Sequence, residues 1–333
     1  MPTQTVTNRD IALVQIPLNN DAISYVADEA LIQAVEMAIA LNKPLVVSGE
    51  PGTGKTQLAH WVAARLHEQT KNDTIPFAEK AKVFNTKSTS SASDLFYYYD
   101  AVSHFRTKED QPTSNFIELC AMGLAIVQLH GKNSPDLKDL AALKDLKTLK
   151  DTPQSSVVLI DEIDKAPRDF PNDLLNEMEQ YEFNIKELNQ TVQKPNSKAR
   201  IVVIMTSNSE KNLPNAFLRR CIFYHIPFPD TGKLLDITRS RMQIKDASYD
   251  TSILQAIEKF NTYRSKAINK KPATSEFLDW INILKQNGLF NGTAFGQYAS
   301  DEQKQLFRSS HNALFKSKED MDAALSSTDT PAW

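Results

Sequence analysis

Hydrophobic residues in the first two thirds of the chain form short runs, separated by longer stretches in which apolar residues recur at helical spacing. Short β-branched runs that alternate with helices are typical of parallel strands covered on both faces. The pattern therefore predicts an α/β fold with a mainly parallel sheet. We expect its strands at residues 44–47, 83–84, 157–160, 201–205 and 222–226.

Helical patterns flank this region on both sides. An amphipathic helix is predicted over residues 28–41, and the Asn42-Lys43-Pro44 segment that follows ends it. After residue 229 the strand pattern stops, and residues 234–263, 275–284 and 301–314 have helical spacing. We therefore expect an N-terminal arm (1–23), an α/β domain (24–229), a small helical domain (230–291) and a C-terminal helix and tail (292–333).

An insertion is predicted at about residues 95–153. Within it, leucines recur at every third position, at residues 137, 140, 143, 146 and 149. On an α-helix this spacing drifts by about 60° per step, so the leucines wind around the helix and form no single stripe. The Lys/Asp-rich composition favours a solvated, partly packed helix, and a partner-docking element is the alternative.

The first strand leads into a glycine-rich loop with the pattern Gly-x-x-x-x-Gly-Lys-Thr, followed by a helical pattern. This is a P-loop in its expected strand–loop–helix context. Backbone N–H groups and the helix N-terminus would bind phosphate. Lys55 is expected to reach the β- and γ-phosphates of ATP, and the Thr56 hydroxyl to bind Mg²⁺. The candidate nucleotide-binding residues are Gly49, Glu50, Pro51, Gly52, Thr53, Gly54, Lys55, Thr56, Gln57 and Asp161.

Two carboxylates follow the strand at 157–160. Asp161 is expected to hold Mg²⁺, directly or through water, together with Thr56. Glu162 can polarise the attacking water. Adjacent strand residues face opposite sides, but the chain turns at the end of the strand, so both side chains can approach the site. The alternative is an acidic strand terminus on the surface.

Two further candidates come later in the chain. Asn208 follows the strand at 201–205 and could orient the lytic water or contact the γ-phosphate, although a loop asparagine is often turn chemistry. Arg219 and Arg220 end a predicted helix just before the last strand. They could be favourable charges at a helix C-terminus, or an arginine finger that points into a neighbouring subunit's ATP site.

Composition sets few further limits. The 333 residues are 41% hydrophobic and 24% charged, which is ordinary for a soluble globular protein. The net charge of −3 gives no support for a general nucleic-acid or anionic-membrane surface. Cys120 and Cys221 lack metal-ligand spacing and fit a reducing compartment. No signal peptide or membrane-spanning stretch is evident, so we expect a cytoplasmic protein.

Taken together, these four motifs resemble the AAA+ ATPases over about residues 24–290. Within that class the chain is similar to the MoxR group, particularly members that mature carbon monoxide dehydrogenase. The resemblance is carried by residues 26–31, by the segment from Asp161 to Leu175, by residues 175–185, where the family has a hairpin, and by residues 94–101, which are similar to the family's insert in helix 2.

The resemblance implies a five-stranded parallel sheet in the order 5-1-4-3-2, a helical lid and a hexameric ring that binds ATP and Mg²⁺. Arg220 would be the finger, with Arg219 close behind. The chain departs from the pattern at Glu276, which stands where many relatives carry a lid arginine. A carboxylate cannot pair with the γ-phosphate, so we assign no such residue and expect Ser275 or Thr274 to cap the helix.

The expected function is an ATP-hydrolysing, chaperone-like remodeller or activator of a client enzyme. Proteins similar to MoxR typically act with a separate partner that bears a von Willebrand factor A domain. A nucleic-acid motor or loader is one alternative, because the segments around 96–99 and 187–198 could contact a strand and aromatic side chains stack on bases. Acidic residues flank the first segment and the second carries mixed charge, whereas a basic groove is the usual footprint of nucleic-acid binding. A regulatory ATP switch in a defence or stress system is the other. Nucleic-acid and membrane partners are not expected.

Overall fold

The computed structural model describes residues 24–107, 111–208, 213–290, 295–296, 298 and 300–325. The predicted N-terminal arm and the last eight residues lie outside this part of the chain. Within it, no helix is long and apolar enough to cross a membrane. The chain divides into two compact units, with the boundary between Pro229 and Asp230.

The first unit is an α/β unit. In chain order its elements are α1 (Glu29–Leu41), β1 (Leu45–Gly49), α2 (Lys55–Thr70), β2 (Lys82–Asn85), β3 (Tyr97–Tyr99), α3 (Ala101–Arg106), β4 (Ile117–Leu119), α4 (Ala121–Gln128), β5 (Ser156–Asp161), α5 (Phe170–Gln180), β6 (Glu182–Ile185), β7 (Gln190–Gln193), β8 (Ile201–Ser207), α6 (Asn215–Leu218) and β9 (Ile222–Ile226).

Five of these strands form one sheet in the order β2-β5-β8-β1-β9, and every neighbouring pair is parallel. When only these five strands are numbered along the chain, the order is 2-3-4-1-5, which is the predicted 5-1-4-3-2 order seen from the other edge. All five predicted strands are therefore confirmed, and so is the fold class.

The sheet is covered on both faces. In β5, Val157 and Leu159 pack in a cluster with side chains of α1 and α2, whereas Val158 and Ile160 pack in a second cluster with side chains of α4 and α5. All four side chains are fully buried. This alternation follows from the pleat of a strand, and it explains why β5 is apolar at every position from Val157 to Ile160.

The predicted insertion at 95–153 is corrected in one respect. Helix α4 lies inside that range, but its side chains Met122 and Ile126 are fully buried and belong to the same cluster as Val158. It is therefore a core helix of the sheet. The material inserted before it is a short antiparallel hairpin of β3 and β4, and β6 and β7 form a second hairpin, where the resemblance implied one.

The leucine repeat is also different from the prediction. Two 3₁₀-helices, Pro135–Leu140 and Asp145–Thr148, replace the expected α-helix. A 3₁₀-helix has three residues per turn, so a period of three places side chains on one face. Four of the leucines (137, 140, 143 and 146) are at most 3% exposed and join the core cluster below α4. The repeat is therefore a packing element, and the prediction of a solvated, partly packed α-helix without a single leucine face was wrong.

The second unit is all helical. Its elements are α7 (Thr231–Met242), α8 (Asp250–Lys266), α9 (Thr274–Gln286), α10 (Asp301–Ser310) and α11 (Lys318–Ala324). Buried Trp280 of α9 donates its indole N–H to Ser310 Oγ at 2.8 Å, and His311 Nε2 lies 3.2 Å from Tyr263 Oη of α8. In the described range 300–325, the segment predicted as a C-terminal helix and tail, apart from the helical domain, is thus part of this helical unit.

The cap of α9 corrects a further prediction. The helix begins at Thr274, so Thr274 and Ser275 lie inside its first turn and neither caps it. Glu276 performs part of that role, because its Oε2 accepts the backbone N–H of Ala273 at 3.1 Å. The side chain at this position therefore satisfies its own helix N-terminus.

Asp320 of α11 is a buried carboxylate that holds the segment after α8. Its Oδ1 accepts the backbone N–H groups of Ile268 (2.8 Å) and Asn269 (2.7 Å), and its Oδ2 accepts those of Lys270 (3.0 Å) and the Ser317 hydroxyl (2.9 Å). These bonds, led by that of Asn269, hold the pKa of the carboxyl below its ordinary value.

We expect Asp320→Ala to lower the free energy of unfolding at pH 7 by about 2 kcal/mol or more, because three backbone donors lose their acceptor. Since the folded pKa is depressed, the carboxylate stabilises above its unfolded pKa of about 3.9, and this contribution is lost as pH falls through the folded value. Urea unfolding of wild type and Asp320→Asn tests this pH dependence. Their free energies of unfolding should differ at pH 7 and converge at acid pH. Asp322→Ala, an exposed change on the same helix, is the control, and an equal loss there would contradict the assignment.

Candidate active site

The predicted site residues converge at one edge of the sheet. The P-loop follows Gly49 at the carboxyl end of β1, Asp161 ends β5, and Asn208 comes directly after β8. Since β8 lies between β5 and β1 in the sheet, these three strand ends are neighbours. Ligands of open parallel sheets bind at this edge.

Glycine is required at two positions of the loop. Gly54 has φ 86°, in the left-handed region, and a Cβ there would lie 3.0 Å from the ring of Tyr25. A Cβ on Gly49 would lie 2.8 Å from the carbonyl oxygen of Ile226 on the neighbouring strand. The left-handed φ of Gly54 would strain any other residue, and the contact at Gly49 is too close to a backbone oxygen for a Cβ, so the curled path of the loop depends on these glycines.

Lys55 points back into the curl of the loop. Its Nζ donates to the carbonyl oxygens of Gly49 and Glu50, both at 2.9 Å, and the residue is only 7% exposed. Burial lowers the pKa of this ammonium, while nearby carboxylates, led by Asp161, oppose that shift. The loop therefore holds a buried positive charge at the N-terminus of α2, where anions bind.

Thr56 and Asp161 meet across the site. Thr56 Oγ1 donates to the carboxylate of Asp161, at 3.0 Å from Oδ1 and 3.2 Å from Oδ2. Within the described residues, no group of three or more His, Cys, Asp or Glu side chains could hold a metal ion. A hydroxyl beside one carboxylate fits Mg²⁺, which binds hard oxygen ligands and is usually held by one or two carboxylates together with phosphates and waters.

The backbone at Glu162 explains how two adjacent carboxylates serve one site. Glu162 has φ 56° and ψ 49°, a left-handed conformation that is uncommon for a residue other than glycine. Its N–H donates to Thr206 Oγ1 at 2.8 Å, and that hydroxyl donates to Asp161 Oδ1 at 2.5 Å. The left-handed residue breaks the strand alternation, so the chain turns where the sequence predicted a turn.

The Glu162 carboxylate is held by two side chains. Its Oε1 accepts from Asn208 Nδ2 at 3.1 Å, and its Oε2 forms an ion pair with Lys165. The backbone N–H of Asn208 lies 3.4 Å from Oδ1 of buried Asp164. Glu162 and Asn208, predicted separately from two strand ends, are thus in direct contact.

The two arginines lie elsewhere. Both are exposed and stand between α6 and β9. Ile222, at the start of β9, pairs with Leu45 at the start of β1, whereas Ile226 pairs with Gly49. Arg219 and Arg220 therefore lie at the amino edge of the sheet, while the P-loop of the same chain lies at the carboxyl edge.

Sequence reasoning missed three residues of the site. Thr206 bridges Asp161 and the Glu162 backbone, Lys165 pairs with Glu162, and Asp164 approaches Asn208. Thr206 could have been found, because it shares a strand face with residue 208 at a spacing of two. Lys165 and Asp164 had no such signal, since their positions depend on the turn at Glu162.

The comparison with protein families matches this geometry. Residues 45–229 match the model of the AAA family, the ATPase family associated with various cellular activities. The chain belongs to the AAA ATPase family. The matched range contains the P-loop, Asp161, Glu162, Asn208 and both arginines, and membership of this family implies nucleotide binding and ATP hydrolysis in general terms.

The other comparisons find only low sequence identity between this AAA chain and known proteins. No curated protein matches it. Among solved structures, it is 16% identical to a RuvB variant from Thermotoga maritima (TM-score 0.40, covering 79% of this chain and 63% of that one). It is 16% identical to C. elegans PCH-2 (TM-score 0.41; 82% and 66%), and 15% identical to a candidate ATPase from Cytophaga hutchinsonii (TM-score 0.39; 88% and 83%). The chain thus spans less than two thirds of the RuvB and PCH-2 chains.

Proposed function

We propose that this AAA protein is a Mg²⁺-dependent ATPase of the MoxR type that remodels or activates a client enzyme. The observation that carries the proposal is the convergence of Lys55, the Thr56–Asp161 pair and the Glu162–Asn208 pair at the carboxyl edge of the sheet. The first two features suit binding of a nucleoside triphosphate, and the third suits activation of water.

Each side chain has a role in this proposal. Lys55 binds the β- and γ-phosphates, and Thr56 and Asp161 hold Mg²⁺, which when bound neutralises phosphate charge. Glu162 polarises the attacking water, and Asn208, which already donates to Glu162, orients it. A carboxylate within hydrogen-bond reach of water is suited to accept its proton.

The arginines support assembly as a ring. Arg219 and Arg220 lie at the sheet edge opposite their own P-loop, and this supports the proposal that they serve a different subunit. Arg220 would supply the positive charge that stabilises the transferred phosphoryl group, with Arg219 beside it. Hydrolysis would then require a homo-oligomer, which we propose is a hexamer.

The partner follows from the MoxR resemblance. We propose a separate protein with a von Willebrand factor A domain, which links the ATPase to its client enzyme. Changes in subunit packing between nucleotide states would supply the motion.

Affinity capture tests this proposal. Tagged Glu162→Gln protein, incubated with ATP and Mg²⁺ in extract of the source cells, is expected to retain its partner because it binds ATP without hydrolysing it. Mass spectrometry should identify a protein with a von Willebrand factor A domain, enriched with ATP and absent with Lys55→Ala. Recovery of nucleic acid in place of such a protein would overturn the proposal.

A further inference from the structure

The two hairpins of the α/β unit lie side by side and enclose a groove. The buried rings of Phe96, next to β3, and Phe183 of β6 stack with centroids 5.3 Å apart. The backbone N–H of Lys186 donates to Tyr97 Oη at 3.3 Å, which joins the hairpins a second time. Between β3 and β6 these contacts leave an open groove of about 740 Å³.

Strand β3 presents an unpaired edge to this groove. Cys120 donates its N–H to the carbonyl of Phe96, and Asp100 donates to Phe116. In an antiparallel pair the hydrogen-bonded positions alternate, so Tyr98 is bonded to β4, and the backbone groups of Tyr97 and Tyr99 point to the opposite edge. Among the described residues, β4 is the only strand that pairs with β3, and both tyrosines line the groove.

Strand β6 also presents an unpaired edge to the groove, on the side opposite β3. Lys194 donates its N–H to the carbonyl of Tyr181 at 3.0 Å. By the same alternation Phe183 and Ile185 are bonded to β7, so the backbone groups of Glu182 and Asn184 point away from it. These two residues also line the groove. A strand with unpaired N–H and C=O groups is a template for a further extended segment.

The side chains around the groove are acidic and aromatic. The charged residues that line it are Asp94, Glu182 and Glu187 against Lys186. Burial raises the pKa of the Tyr97 phenol; the bond from the Lys186 backbone opposes this shift and Glu187 reinforces it, so this ring stays neutral. Tyr98, which is 57% exposed, also lines a neighbouring groove of about 650 Å³ with Asp100, Glu118 and Asp145 against Lys144.

We propose that the groove binds an extended, basic segment of a partner polypeptide. The backbone of the segment pairs with the free edges of β3 and β6. Its Lys or Arg side chains lie beside Asp94, Glu182 and Glu187, with their charges against the tyrosine rings. An acidic groove repels the phosphates of nucleic acid, so charge favours a polypeptide. The inference rests on the proposed function in that the ATPase acts on another protein.

Fluorescence anisotropy tests the proposal directly. A fluorescein-labelled peptide of alternating lysine and valine is expected to bind the wild-type protein, more weakly as salt is raised. A matched peptide of alternating glutamate and valine should not bind. The lysine peptide with an N-methyl group at every amide should lose affinity, since it has no backbone N–H left to donate along either edge. Equal binding of the methylated peptide would refute strand pairing.

Charge reversal locates the site. The double variant Glu182→Lys with Glu187→Lys is expected to bind the lysine peptide roughly tenfold or more weakly. Its control is Glu36→Lys with Glu68→Lys, the same charge change at exposed positions of α1 and α2, which pack on the other face of the sheet. Circular dichroism verifies that both variants are folded. Equal weakening in both variants would refute the groove.

ATP turnover of the wild-type protein is measured separately, without peptide. A protein that hydrolyses ATP but leaves every peptide free refutes the groove and leaves the ATPase proposal standing. A protein that binds the lysine peptide with the expected variant pattern but hydrolyses no ATP refutes the proposed function and leaves the groove standing.

Discussion

Lys55→Ala is expected to weaken ATP binding by about 3 kcal/mol, roughly a hundredfold in dissociation constant, and to reduce hydrolysis to background. The Lys55 ammonium lies within the curl of the P-loop, 2.9 Å from two of its carbonyl oxygens. It is therefore positioned to make charge-assisted bonds to phosphate, which alanine cannot replace. Titration with a fluorescent ATP analogue measures the affinity.

The same substitution should leave the nucleotide-free fold intact. Because burial lowers the pKa of Lys55, folding disfavours its charged form, and at neutral pH the buried ammonium opposes stability. Removing it relieves that desolvation. We therefore expect a thermal midpoint near that of wild type without nucleotide. ATP at about 100 times its dissociation constant should stabilise wild type by about 2.7 kcal/mol and the variant far less.

Lys71→Ala is the matched control, since Lys71 caps the other end of the same helix and is half exposed. It should bind and hydrolyse ATP as wild type does. An ATP-induced thermal shift in Lys55→Ala equal to that of wild type would show that Lys55 does not bind the phosphates.

Glu162→Gln is expected to separate binding from hydrolysis. ATP affinity should stay within a few-fold of wild type, while the rate of hydrolysis falls by roughly 10²- to 10⁴-fold, the range for loss of a general base. The phosphate contact is assigned to Lys55 and the Mg²⁺ contacts to Thr56 and Asp161, and none of these residues is changed. Single-turnover hydrolysis measured beside equilibrium binding distinguishes the two effects.

Geometry suggests that the glutamine variant folds normally. Glutamine keeps an oxygen that can accept the bond from Asn208 Nδ2, and the backbone bond from residue 162 to Thr206 Oγ1 is retained. The ion pair with Lys165 is lost, but both of its side chains are partly exposed, so its contribution is small. Glu79→Gln, an exposed change in the same unit, is the control. Hydrolysis by Glu162→Gln at the wild-type rate would exclude Glu162 as the base.

The central strands β1, β5 and β8 were predictable because burial on both faces requires a run of apolar residues, as Val157 to Ile160 show. The leucine repeat was not, since a period of three is ambiguous until the backbone is known. On an α-helix it winds around, while on the observed 3₁₀-helices it forms one buried face. Helix α4 was assigned to the insertion for a similar reason, because sequence does not show which apolar segment packs on the sheet.

By itself the sequence determined the chemistry of the candidate site. The glycine spacing, Lys55 and the strand-end carboxylates are local patterns. They can be recognised in the sequence because each involves residues that are close together along the chain. Only the tertiary structure decided which groups meet. Residues 56 and 161 are 105 positions apart, and the Thr56–Asp161 contact exists because β1, which leads through the loop to Thr56 of α2, and β5, which ends at Asp161, end at the same edge of the sheet. The left-handed turn at Glu162 and the two unpaired hairpin edges were likewise set by long-range pairing, which no local pattern records.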